Sequence, residues 1–420
     1  MILAPTILII TLLNTDLALI ILIFSMLLSP EFKLAQAAER AVVVRLDDIL
    51  LIVVFLSWFV RTAIHKELGL LRNSALNKWI LSYILICIIS SGMGILFGRL
   101  NATTAFFYIM KYIEYFLLYF MVTNNLKDRD QIKMFMLGFL ITGLVICLYA
   151  IGQMGTTNRV SAPFEGQFSE PNTLGGYLII LFAVCISLFI YSPNLSWKYF
   201  CGFLALLAVP PFIFTLSRGS YLAFIVMYLS IVFFSKRNRI LSLSILIIAI
   251  IIITVFFPSL VNMMKQRIEK TFTSPLFTYE AMGKSIPLEE SAAVRIESWK
   301  EAFKRLVRSP FIGHGVSGVG LMDTQYPLVL GETGIIGFII FLVLMRKIFN
   351  RAIYVFRIMQ DPWLKGLALG FLASFIGLLI QAFAANTFII VRIMEPFWFL
   401  AAIVVMLPEI CPVPEDKLRS

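Results

Sequence analysis

Two arginines in apolar surroundings are the groups of this chain best suited to chemistry. Arg218 stands in FTLSRGSY, between two apolar stretches, with Gly219 beside it to let another backbone come close. An arginine held at a hydrocarbon boundary is expensive to place, which makes it a functional candidate. Arg295 stands in SAAVRIESWKEAFKRLVR, where Val294, Trp299, Phe303, Leu306 and Val307 recur at helical spacing. It precedes Trp299 by four residues and falls at the edge of that apolar stripe, whereas Lys300, Lys304 and Arg308 read as an ordinary solvated face. A planar guanidinium grips phosphate oxygens in pairs, which an ammonium cannot do, so Arg218 and Arg295 are candidates to hold a diphosphate. Arg159, in RVSAPFEGQFSEPNTLGGY, is a third, and the Pro171-Asn172 turn in that loop makes Asn172 a further candidate contact. The plainer reading of each arginine is a snorkelling anchor at the headgroups, and of the loop a simple connection.

Carboxylates for proton transfer lie in MDTQYPLVLGETGIIG, where Asp323, Gln325, Tyr326 and Glu332 gather as the chain turns back into apolar sequence. Acid-base chemistry needs such a group near the reacting hydroxyl. For Glu332 the alternative is a helix-start carboxylate facing the positive end of the dipole. His314, nine residues before Asp323 in a Gly-His-Gly turn, is the third candidate; its alternative is a structural hydrogen bond.

These residues need a scaffold, and composition sets its class. Of 420 residues 60% are hydrophobic and 14% charged, with mean hydropathy +0.92, which excludes a soluble globule with one core. Stretches apolar enough and long enough to cross a bilayer, roughly 17 to 25 residues each, fall near 4–28, 47–64, 79–98, 104–123, 132–153, 173–192, 197–215, 219–235, 239–257, 327–345, 364–385 and 393–409. The expected fold is therefore an all-α polytopic membrane protein of about twelve transmembrane helices, nine within 1–257 and three within 327–420, separated by a loop at 258–326 with the amphipathic helix. Asn14 and Asp16 suggest a break in the first stretch, and no basic residue precedes Lys33, so a cleaved signal peptide is not expected. Lys and Arg accumulate on cytoplasmic segments; one orientation puts 18 of them in inner loops and tail against 7 in the short outer loops. Both termini then face the cytoplasm and the 258–326 loop faces outward.

Several classes fall away. Most of the +11 net charge is topological, facing anionic membrane lipids, and implies no nucleic acid. Positive-inside statistics do not account for the outward Arg159, Arg218, Arg295 and Arg392, which point to an anionic ligand. Five cysteines without a CxxC pair and two histidines leave no usual zinc site; no metal is expected. A transporter or flippase would show related halves and midplane ionisable groups. Only Lys111 and Glu114, spaced to pair on one helix face, offer a deep charged pair, and the outer loop has no obvious use in transport.

The order and spacing of RVSAPFEGQFSEPNTLGGY, TLSRGSYLAF, VRIESWKEAFKRLVRSPFIGHGVSGVG and QYPLVLGETGIIGF, with a compatible end in NTFIIVRIMEPFWFL, resemble the O-antigen ligase and O-antigen polymerase superfamily of bacterial inner-membrane glycosyltransferases. No single motif is specific; the ordered set is. The resemblance implies a transferase that takes a glycan from undecaprenyl diphosphate on the outer leaflet and passes it to an acceptor hydroxyl. It needs no metal or other cofactor, because the diphosphate is already an activated leaving group. In the family, arginines matching Arg218 and Arg295 hold that diphosphate, and Gln325, Tyr326 and Asn172 are expected near the glycans. Ligases commonly carry His-Asn where this chain has Asp323-Thr324. The departure gives Asp323 the position of the base and points to the polymerase branch, whose acceptor is another lipid-linked repeat unit and whose further partner is a chain-length regulator. A ligase acting on lipid A core, or on protein, is the alternative.

Overall fold

A computed structural model describes residues 14–37, 40–64, 72–157, 159–164, 170–235, 238–256, 258–273, 277–281, 284–288, 290–320 and 322–412. Helices dominate: α1 (Thr15–Leu28), α2 (Leu46–Ile64), α3 (Asn77–Leu96), α4 (Ala102–Asn125), α5 (Arg129–Gln153), α6 (Pro171–Tyr191), α7 (Leu195–Phe214), α8 (Arg218–Phe234), α9 (Arg239–Phe256), α10 (Pro258–Thr273), α11 (Glu290–Arg308), α12 (Gln325–Ile358), α13 (Pro362–Gln381) and α14 (Val391–Ile410). Eight of them, α3 to α7 and α12 to α14, are long and apolar enough to cross a membrane, and α1 and α8 are shorter apolar helices. The chain is a helical, multi-pass membrane protein. Outside the helices two antiparallel hairpins form, β1 (Glu31–Ala37) with β2 (Arg40–Arg45) and β3 (Phe277–Ala281) with β4 (Lys284–Leu288). The break expected in the first stretch falls at Asn14, whose side chain accepts from the Asp16 and Leu17 amides and caps α1; the half before it lies outside the described residues.

At the centre stands α6, with 18 of its 21 residues buried, as a helix apolar all round requires. Small residues bring α13 against it: a Cβ at Gly370 would stand 2.8 Å from Val184 Cα of α6, and one at Gly377 2.9 Å from Met227 Cβ of α8. Lipid is as apolar as leucine, so close backbone packing of this kind is what holds membrane helices together. Polar contacts tie the loops at the two ends. At one end Arg72 donates to Leu126 O at 2.9 Å, Lys127 pairs with Asp16 at 3.0 Å, and Arg129 pairs with Asp361. The opposite end carries the candidate residues.

Helix α12 spans 34 residues, about 51 Å at 1.5 Å per residue, well beyond a hydrocarbon core of about 30 Å. It is broken at Gly334 (φ 66°, ψ −169°). Backbone freed within a membrane must find partners in protein, and the 310–315 loop supplies them. Ile335 N–H donates to Pro310 O (2.9 Å) and Ile336 N–H to Phe311 O (3.2 Å), while His314 N–H donates to Gly331 O (3.1 Å) and Gly315 N–H to Glu332 O (2.9 Å). Gly313, at φ +77°, leaves no room for a side chain: a Cβ there would lie 2.5 Å from Gly334 N. Gly313→Ala is expected to cost at least about 1 to 2 kcal/mol from the left-handed backbone alone, seen as a melting temperature several degrees lower in heated-sample size-exclusion chromatography. Gly92→Ala, whose Cβ would meet nothing within 4 Å, is the matched control; equal melting of the Gly313 variant and wild type would show that the loop yields freely.

The apolar stripe of α11, expected to lie on the membrane or on the helical bundle, divides: Trp299 packs half-buried against the main core. Val294, Phe303 and Val307 are exposed, and the helix buries Ser298 and Ala302 against Val319, Met322 and Leu328. Small residues allow the close seat, and they put Arg295 and Arg305 at its margins, since 295, 298, 302 and 305 share one helical face.

Candidate functional site

The junction of α7 and α8 collects three of the candidates. Pro210 and Pro211 lie near the end of α7, Thr215 N–H closes it on Pro211 O at 3.1 Å, and Leu216 turns the chain with φ 48°. Ser217 then caps α8, accepting from Ser220 N–H, so Arg218 opens that helix. Ser217 Oγ donates to Asn172 Oδ1 at 2.7 Å, while Gln381 Nε2 donates to Asn172 O at 3.0 Å and to Ser220 Oγ at 3.1 Å. Arg159 Nε donates to Thr215 O at 2.9 Å. Arg159, Asn172 and Arg218 therefore meet at one turn.

Arg295 arrives from α11. Its Nε donates to Ala384 O at 3.1 Å, and Ala384 also abuts Gly219, where an added Cβ would strike the Ala384 methyl. The turn joining α13 to α14 thus brings Arg218's neighbour and Arg295 to the same residue. Asp323 stands beside them, exposed, its N–H donating to Ser298 Oγ at 3.3 Å one helical turn from Arg295. Gln325 is buried, its N–H donating to Ala382 O (3.1 Å) and its Oε1 accepting from Phe388 N–H (2.9 Å). Tyr326 donates to Leu379 O at 2.7 Å. The hydrogen bonds of Gln325 and Tyr326 hold the start of α12 on the α13–α14 turn.

Five buried side-chain atoms around that turn have no hydrogen-bond partner among the described residues: Thr324 Oγ1, Gln325 Nε2, Gln381 Oε1, Asn386 Oδ1 and Thr387 Oγ1. Native interiors rarely leave such groups unpaired, and a hydroxyl-rich ligand or ordered water is their natural partner. Gln381, Ala384 and Asn386 were not candidates from sequence. The polar break QAFAANTF between two apolar stretches was the signal available for them.

Glu332 and His314 are placed apart from this turn. Glu332, about 10 Å along α12 from Gln325, is buried; its Oε1 accepts from Ser317 N–H at 2.7 Å and its Oε2 from Tyr112 OH at 3.1 Å. Ser90 Oγ of α3 donates to Glu332 O at 2.5 Å. Glu332 braces the 312–317 loop against the break in α12 and does not join Asp323. His314 lines a separate pocket with Arg99, Arg305, Arg308 and Gly318, where burial, then Arg99 and Arg305, hold its imidazole below the ordinary histidine range.

Two further sequence expectations change. Arg392 is a buried clamp, its guanidinium donating to the carbonyls of Leu27, Ser29, Pro163 and Phe164, so it ties α1 and the 160–164 loop to α14. Glu114 lies 3.8 Å from Arg45, which also meets Asp47 at 3.0 Å, Asp48 at 3.3 Å and Glu395 at 3.9 Å. Helical spacing on α4 could pair Glu114 only with Lys111; Arg45 comes from the end of a hairpin that helical periodicity does not reveal.

Fold and site together define a helical multi-pass membrane protein with arginines and a carboxylate assembled at one end. Residues 211–342 match the family model described as O-antigen ligase, so this segment of the chain is similar to that family. The matched segment holds Arg218, Arg295, His314, Asp323, Gln325, Tyr326 and Glu332; Arg159 and Asn172 precede it. No curated protein matches the chain.

Proposed function

We propose that this protein polymerises undecaprenyl-diphosphate-linked oligosaccharide repeat units at the periplasmic face of the bacterial inner membrane. The observation that carries the reading is the Ala384 turn, which joins Arg295 to the helix start bearing Arg218 and stands beside Asp323. Arg218 and Arg295, with Arg159 nearby, hold the donor diphosphate. Asp323 takes the proton of the acceptor hydroxyl as its oxygen attacks the anomeric carbon. The bond from that carbon to the diphosphate breaks, a glycosidic bond forms, and undecaprenyl diphosphate leaves with the charge that the guanidiniums neutralise. The unpartnered polar atoms around residues 381–387 suit the hydroxyls of a sugar.

Purified protein in proteoliposomes, supplied with lipid-linked repeat units alone, is expected to produce a ladder of lengthening glycans. The description of the matched family favours a second reading, transfer to lipid A core; a single adduct on added core, with no ladder from repeat units alone, would establish it and end the polymerase proposal. The outward orientation has its own check. In a cysteine-free background, Ser309→Cys should react with an impermeant thiol reagent added from outside and Asn350→Cys should not; the opposite pattern would place the site in the cytoplasm.

A further inference from the structure

The pocket around His314 has no part in the glycan transfer described above, and its chemistry is its own. Its volume is about 260 Å³ and its lining is Arg99, Arg305, Arg308, His314 and Gly318. Arg305 is ten residues beyond Arg295 on α11, about 15 Å along the axis, so the two arginines cannot serve one phosphate. Among the described residues neither Arg99 nor Arg308 has an ion-pair partner, and Arg305 meets Glu301 at 2.9 Å and donates to Gly318 O at 3.0 Å. His314 is 7% exposed, with its Nδ1 buried and lacking a hydrogen-bond partner among the described residues. Two of these guanidiniums, Arg99 and Arg308, are exposed beside a nearly buried imidazole, and an anion bound among the three would relieve their mutual repulsion.

The surroundings indicate where that anion sits. Each cationic segment carries an exposed apolar side chain: Phe97 (61%) two residues before Arg99, Phe303 (54%) two before Arg305, Val307 (84%) next to Arg308 and Phe311 (66%) three before His314. Arg99 also lies over the Phe97 ring at 5.1 Å. Apolar groups that dip among acyl chains while arginines stay at the phosphate level mark a membrane-interface site. The volume falls just below the range of about 300 to 1,000 Å³ usual for a complete small-molecule ligand, so it suits a headgroup better than an oligosaccharide.

We infer that Arg99, Arg305, Arg308 and His314 form a second anion site, separate from the Arg218–Arg295 turn, that takes a phosphoryl group at the membrane interface. The chain has two histidines, so His65→Asn leaves His314 as a single reporter. The full-length His65→Asn protein, labelled with ¹³C,¹⁵N-histidine in neutral maltoside micelles that carry no phosphate, is titrated at constant pH and ionic strength with inorganic phosphate, and separately with phosphatidylglycerol added to the micelles. A saturable shift of the His314 ring signals, with a midpoint at least about tenfold higher in Arg99→Gln/Arg308→Gln, is the expected result; tenfold corresponds to about 1.4 kcal/mol. Saturation by phosphatidylglycerol assigns the site to a lipid headgroup, and saturation by inorganic phosphate alone assigns it to a free anion. Absence of a saturable shift in both titrations, or an identical midpoint in the double variant, overturns the inference. The same titration in Arg218→Ala/Arg295→Ala is expected to keep its midpoint, so the result does not depend on the transferase reading; a midpoint moved tenfold there would merge the two sites and overturn their separation.

Discussion

Arg218→Lys and Arg295→Lys are each expected to lose glycan transfer nearly as completely as the alanine variants, by about 30- to 1,000-fold. The figure follows from charge-assisted donors worth about 2 to 4 kcal/mol to a transition state in a water-poor site, with about 1.4 kcal/mol per tenfold in rate. Geometry makes lysine a poor substitute. Arg295 commits its Nε to Ala384 O, and a lysine carries one nitrogen on a flexible stem, unable to hold that carbonyl and present a planar pair of donors as well. At Arg218 the side chain leaves the first residue of α8, behind the Ser217 cap and the bond to Asn172, so its reach is set by a turn with no slack. The measurement is initial rate of polymer formation in proteoliposomes with variants matched for amount and monodispersity. Near wild-type rates from both lysine variants would make these residues membrane anchors.

Asp323→Asn is expected to abolish elongation, a loss on the scale of the about 10²- to 10⁴-fold that a positioned base contributes, while leaving expression and binding of the lipid-linked donor intact. Asparagine keeps the shape of the side chain and the Asp323 N–H bond to Ser298 Oγ, so the substitution removes the proton acceptor and little else. Glu332→Gln serves as the contrast. Its carboxylate already accepts from Ser317 N–H and Tyr112 OH, and weakening these should act mainly on stability, at about 1 to 3 kcal/mol for an imperfectly satisfied buried group. An Asp323→Asn enzyme that polymerises normally, alongside a stable but inactive Glu332→Gln, would move the base to Glu332.

Composition by itself determined that this chain is a membrane protein, because no soluble core can absorb so much apolar sequence, and apolar runs of bilayer length located its spanning helices. It also marked Arg218, Arg295 and Asp323, since a charge beside hydrocarbon is costly enough to stand out locally. What the tertiary structure decided is which of these residues meet. The Ala384 turn, where Arg295 and Gly219 beside Arg218 converge, shows in sequence only as the polar break QAFAANTF, and its role exists only because α11 and α8 arrive on either side of it. Glu332 and Asp323, nine residues apart, went to different places because Glu332 lies beside the break at Gly334 and faces Tyr112 and Ser317 there. The close seat of α11 was not legible for a related reason: periodicity marks the apolar stripe, whose Val294, Phe303 and Val307 stay exposed as a membrane-facing stripe allows, but not the small Ser298 and Ala302 that pack beside it. Pairings between distant segments, such as Arg45 with Glu114 or Arg392 with Leu27, Ser29 and Pro163, leave no periodic trace along the chain, so only the folded arrangement of helices defines them.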